Sequence, residues 1–233
     1  MLNTIKNSHA AVRFVPLFAY LVIMLAEGRI GAASAYWVYA LKVLVGGCLV
    51  AWVWPMIKEI RWTFNAPSVL TGIAVFAAWV GLDGTYPTLN EVFARMSSKP
   101  AAPSPDVEWN PFSLFAGSVF WGWFFVIVRI VGTTLVVPPL EEVFYRSLMY
   151  RAIASPDYEK WPLSHFSAKA FFITAVVFGV MHPEQWVAGV LCGLAYQALV
   201  LRCGHVGEAM AAHAVTNLLL GVWVVWKGAW KFW

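Results

Sequence analysis

Charge is what this sequence is short of. Only 12% of its 233 residues are Asp, Glu, Lys or Arg, against roughly 25% in a soluble domain. A mean hydropathy of +0.68 and 61% hydrophobic residues make it an integral, multi-pass membrane protein. The net charge of +4 then reads as positive loops beside anionic lipid rather than a nucleic-acid surface. Cysteine is scarce as well: Cys48, Cys192 and Cys203 have no CxxC spacing, which excludes a disulfide framework and a thiolate metal cage. No internal repeat is visible, which speaks against a transporter built from repeated halves.

Several catalytic signatures are also missing. HExxH is absent; His205-x-x-Glu208 has no second histidine at the needed spacing. Gly117-Ser118 lacks the following glycine of a rhomboid-type serine turn. Gly81-Leu82-Asp83-Gly84 resembles an intramembrane aspartyl protease signature, but that chemistry needs two aspartates sharing a proton. The other two, Asp106 and Asp157, lie in polar stretches, so Asp83 reads as a helix end.

The apolar segments predict an all-α, polytopic bundle of about eight helical segments. Spans are expected over Phe14–Ala26, retained rather than cleaved, over Ala35–Trp54, where the Lys42 stem can snorkel, and over Val69–Leu82. A short interfacial helix is expected over Leu89–Met96, within the polar, proline-rich stretch Thr85–Pro111. The chain thus divides at 111: residues 1–111 hold three spans and this loop, and residues 112–233 hold the chemistry. A fourth span, Phe112–Val137, is expected to be broken by Pro138-Pro139, with a helix restarting there and fading by Ser155-Pro156. Helices follow over Ala168–His182, Glu184–Arg202 and Val206–Trp226, and Gly189-x-x-x-Gly193 suits close helix approach. Trp223, Trp226, Trp230 and Trp233 with Lys227 and Lys231 make an interfacial tail.

What is present is a carboxylate pair where charge is costly. Glu142 can pair with Arg146 at i,i+4. Glu141 points about 100° away and has no such partner, which leaves it free for chemistry. His182 ends the next helix, antiparallel to that of Glu141, so the two can meet at one leaflet. His213 and Asn217 share a helix face at i,i+4. Four polar side chains on three apolar helices imply an internal cavity.

In order and spacing, Glu141-Glu142-x-x-x-Arg146, Phe178-x-x-x-His182 and His213-x-x-x-Asn217 resemble the three motifs of the CAAX protease and bacteriocin-processing membrane proteases. That family is also known as ABI or type II CAAX prenyl proteases. Trp79-Val80-Gly81-Leu82-Asp83 and Glu108-Trp109-Asn110-Pro111-Phe112 further resemble its bacterial subgroup that accompanies exosortase and PEP-CTERM sorting systems. The resemblance implies an endopeptidase acting on a membrane-inserted or lipidated peptide or protein. Glu141 and His182 would activate water, and His213 and Asn217 would bind the oxyanion. Glu142, Arg146 and Phe178 would support them. A non-catalytic scaffold or immunity protein of the same fold is the alternative.

No cofactor is expected. Glu141, His182 and His213 could form a His₂Glu zinc set. Against it, no two of them share the i,i+4 spacing of a preformed half-site, and no carboxylate is evident to orient His213.

Overall fold

The computed structural model describes residues 5–97 and 109–233. The centre of the proline-rich stretch, with Pro100, Pro103, Pro105 and Asp106, lies outside the described residues. Among those described there are nine helices and no strand: α1 His9–Met24, α2 Ser34–Val53, α3 Ala66–Gly81, α4 Leu89–Ser97, α5 Pro111–Leu114, α6 Val119–Ala154, α7 Ala168–Val180, α8 Trp186–Cys203 and α9 Gly207–Lys227. Four helical stretches are long and apolar enough to cross a membrane: Ser34–Met56, α6, Pro183–Cys203 and α9. Helices α1, α3 and α7 are apolar but shorter.

Local signals set most boundaries. Asn65 and Ser68 form a reciprocal capping box at the start of α3, with Pro67 in its first turn, a position where a missing N–H costs nothing. Thr88 and Glu91 do the same for α4 through bonds of 3.2 and 2.9 Å. The exposed Phe93 and Met96 suit α4 to an interface. Gly204 (φ +74°) and Gly228 (φ +62°) end α8 and α9 in the left-handed conformation that glycine adopts without penalty.

Helix α9 is the axis of the bundle. Its first two turns are alanine-rich, and Ala209, Met210, Ala211 and Ala212 are wholly buried where α3, α6 and α8 close around them. Small residues permit the approach. A Cβ on Gly72 of α3 would stand 2.6 Å from the Ala212 carbonyl oxygen, and one on Gly193 of α8 would stand 2.8 Å from the Ala175 Cα of α7. Gly72→Leu is therefore expected to separate α3 from α9. Overpacking of this kind costs about 1–3 kcal/mol, and a lowered Tm in detergent is the check.

The proline pair does not break the helix. Helix α6 runs unbroken for 36 residues, about 54 Å at 1.5 Å per residue, with π-helical turns at Gly132–Val136 and Val143–Met149. The hydrogen bonds explain why. Val137 donates to the Gly132 carbonyl, five residues back. In that register the donor to Thr133 would be residue 138, but proline has no N–H. Asn217 of α9 supplies it instead, with Nδ2 2.7 Å from the Thr133 carbonyl oxygen. The chain of the expected fourth span also differs at its start, where α5 is a separate turn capped by Asn110. Lys42 departs from expectation too: it does not snorkel but is buried, paired with Glu27 and laid over the Tyr20 and Tyr39 rings.

At one end of the bundle, Glu59 fastens α1 to α6. Its Oε1 accepts from Arg13 Nη2 at 2.6 Å, from Arg151 Nη2 at 3.2 Å and from the Ser147 hydroxyl. Burial pushes the Glu59 carboxyl up, but the Arg13 charge and the Ser147 and Arg13 hydrogen bonds outweigh it and hold the group below its ordinary value of 4.5. A carboxylate with a depressed folded-state value adds stability above its unfolded value and loses it as pH falls through the folded one. The Tm in detergent is thus expected to be flat above about pH 5 and to fall below about pH 4.5. Glu59→Gln should flatten that acid limb while lowering the plateau. An unchanged limb would mean that other carboxylates govern it.

Candidate active site

Every fourth residue on one face of α6, from Arg129 through Thr133 and Val137 to Glu141, lines a cavity of about 250 Å³. His182, His213 and Asn217 line the same cavity, with Trp79, Phe178 and Tyr196. The structure thus brings together the four residues singled out in the sequence, from α6, the turn after α7, and α9. Glu141 Oε2 is shut off from solvent and has no hydrogen-bond partner among the described residues.

His182 sits just beyond α7, where Pro183 opens a 3₁₀ turn. Its Nδ1 lies 2.8 Å from the Phe178 carbonyl oxygen. A carbonyl only accepts, so the proton is on Nδ1 and Nε2 is left as the acceptor. The ring is held by Phe178, centroids 4.8 Å apart, and by the edge of Trp79 at 5.4 Å. The turn itself is clamped from the loop after α3. Gln185 donates to Asp83 at 2.8 Å, and Trp186 donates to the Pro87 carbonyl at 3.0 Å. Asp83 also pairs with Lys231.

Glu142 turns the other way, into the core, and is wholly buried with Arg146. Its Oε2 lies 3.1 Å from Arg146 Nε. Its Oε1 lies 2.9 Å from His213 Nδ1, which corrects the expectation that His213 has no carboxylate to orient it. The 100° between neighbouring helical residues aims Glu141 at the cavity and Glu142 at α9. The Arg146 guanidinium lies 4.8 Å over the Phe178 ring, so Glu142, Arg146 and Phe178 join the two histidines from behind. Tyr196 packs on His213 at 5.3 Å. Its hydroxyl donates to Thr216 at 2.7 Å, and Thr216 donates to the Gly72 carbonyl at 2.9 Å.

The alternative zinc set is Glu141, His182 and His213. Among the described residues no three His, Cys, Asp or Glu side chains stand close enough to hold a metal ion, so these three, as placed, do not fit one. Their chemistry is not foreign to a metal: each histidine has Nδ1 engaged, which leaves Nε2 as the nitrogen able to ligate.

Sequence reading misses several neighbours. Arg129 carries a usable signal, because a lone charge inside a span is a functional candidate by default. Tyr196 and Thr216 carry a weaker one, polar groups on otherwise apolar helix faces. Nothing local marks Trp79 or the Asp83–Gln185 clamp, whose partners are 102 positions apart.

No curated protein and no solved structure matches the chain. A family model does: residues 122–219 match the type II CAAX prenyl endopeptidase Rce1-like family. That segment contains Glu141, His182, His213 and Asn217, together with Glu142, Arg146 and Phe178. Over residues 122–219, this integral membrane protein is thus similar to the Rce1-like type II CAAX prenyl endopeptidase family.

Proposed function

We propose that the chain is an intramembrane endopeptidase that hydrolyses a peptide bond of a membrane-associated or lipidated protein, with water activated by Glu141 and His182. The observation that carries this reading is the position of Glu141. Glu141 lines the same cavity as His182, His213 and Asn217, and its Oε2 has no hydrogen-bond partner among the described residues.

Each group has a part that its surroundings suit. Glu141 takes a proton from water as that water attacks the carbonyl carbon. His182, with Nε2 as acceptor, orients the same water. His213 donates to the developing oxyanion only if Nε2 carries a proton, which makes it an imidazolium. Glu142, 2.9 Å from its Nδ1, supplies the counter-charge for that form, and Arg146 balances Glu142 while the ring is neutral. Asn217 has one N–H on Thr133 and a second to offer the oxyanion. Preorganised donors of this kind are each worth about 10²–10³ in kcat. The proton taken by Glu141 then passes to the leaving amine, so the group ends as it began.

This chemistry uses no metal. Activity of the purified protein on an internally quenched lipopeptide pool is expected to survive exhaustive chelation. Loss on chelation with recovery on adding zinc alone, together with near-stoichiometric zinc by elemental analysis, would make His213 a ligand and end its assignment as an oxyanion donor.

A further inference from the structure

The cavity contains one charged group that this chemistry does not use. Arg129 lines it on the same face of α6 as Glu141. Its guanidinium lies over the rings of Trp109 at 4.5 Å, Tyr39 at 4.7 Å and Trp233 at 5.7 Å. Rings engage the flat faces of a guanidinium, whereas its five N–H donors lie in the plane and need acceptors at the edges. Nε is shut off from solvent and has no acceptor among the described residues. No carboxylate of those residues pairs with Arg129 either. Lys42 shares the Tyr39 ring but is already satisfied by Glu27. A guanidinium kept within an apolar bundle, stacked but without an acceptor among the described residues, is suited to an anion that arrives from outside.

We propose that Arg129 is a specificity-determining residue that holds a carboxylate of the substrate at the end of the cavity away from Glu141. This rests on the reading of the cavity as a peptidase site. Phe232 and Trp233 also line the cavity, and Trp233 meets Trp109 edge to face with centroids 5.6 Å apart. One wall of the aromatic box, Trp233, is thus also a wall of the cavity, and the other two, Tyr39 and Trp109, are buried. Positions 129 and 141 are twelve apart on one helix, about 18 Å at 1.5 Å per residue. An extended peptide covers about 3.3–3.6 Å per residue. The carboxylate thus lies within about five residues of the bond that is cut, and Arg129 acts as a ruler that selects the bond. A carboxylate can come from a peptide's C-terminus or from an Asp or Glu side chain, and both present the same planar acceptor pair to a guanidinium.

The test uses three fluorescein-labelled, N-palmitoyl hexapeptides of leucine and alanine: one a free acid, one its C-terminal amide, and one the amide with glutamate at the last position. Equilibrium binding is read by anisotropy on the full-length protein in detergent, in wild type and in Glu141→Gln, so that turnover does not enter. The free acid, the glutamate amide or both should bind about 10–100-fold tighter than the plain amide. Which of them does so identifies the source of the carboxylate. Arg129→Gln should abolish the difference, and Arg129→Lys should restore part of it, which a merely structural role would not do. Equal binding of all three peptides, no binding of any, or discrimination that survives Arg129→Gln overturns the proposal. The peptidase reading fails separately: if wild type discriminates but Glu141→Gln still cleaves, Arg129 stands and the assigned base does not.

Discussion

Glu142→Gln is expected to destabilise the protein by about 3–5 kcal/mol, the usual cost of removing one partner from a buried ion pair. Arg146 is wholly buried, none of its three side-chain nitrogens has a hydrogen-bond acceptor among the described residues, and beyond its ion-pair contact with Glu142 it has only the faces of Phe178, Tyr145 and Tyr196. Without Glu142 its charge would be compensated by cation–π contacts alone, each worth about 2 kcal/mol at best when desolvated. Arg146→Ala should cost less, because the stranded carboxylate retains His213 at 2.9 Å and can be neutralised by a protonated ring. The ordering of the two variants, by unfolding in detergent, is the discriminating result. The double variant Glu142→Leu/Arg146→Met should recover much of the stability, since apolar replacement of a buried pair is often neutral. It should not recover activity, because His213 would still lack its counter-charge. A double variant as unstable as Glu142→Gln would mean that the site needs the charges for folding itself.

Much of this arrangement is legible in the order and spacing of the residues. The carboxylates at 141 and 142, at 100° to each other, imply one partner inside the helix and one group free, and the i,i+4 pair at 213 and 217 implies a shared face. The order of three weak motifs then places them in one cavity. What cannot be read depends on long-range partners. Pro138 and Pro139 are helix breakers by local rules, yet α6 continues because its π turn shifts the register and a side chain 84 positions away, that of Asn217, supplies the missing donor. Local propensity points the wrong way because the compensation lies on another helix.

The same holds for Glu142. Its pairing with Arg146 is local and readable, whereas its bond to His213 spans 71 positions and depends on how closely α9 approaches α6. That approach in turn depends on an alanine-rich face of α9, which a hydropathy pattern records only as apolar. Lys42 reads as free to reach water because nothing within its own helix pairs with it. Its partner, Glu27, lies in the preceding loop and folds back onto it.

Glu141→Gln is the variant on which the account of catalysis turns. Glutamine keeps the size of the side chain and its acceptor oxygen but cannot take a proton from water. Loss of a general base costs about 10²–10⁴-fold in rate. Stability should hardly change, because Glu141, unlike Glu142, makes no ion pair among the described residues. A general fold defect would lower both quantities, and a supporting residue would lower stability first. The most direct measurement is therefore the cleavage rate of purified wild type and Glu141→Gln on one internally quenched lipopeptide pool, with Tm recorded on the same samples. The account predicts cleavage reduced at least about 10²-fold at an unchanged Tm. Cleavage by Glu141→Gln at near the wild-type rate would contradict it.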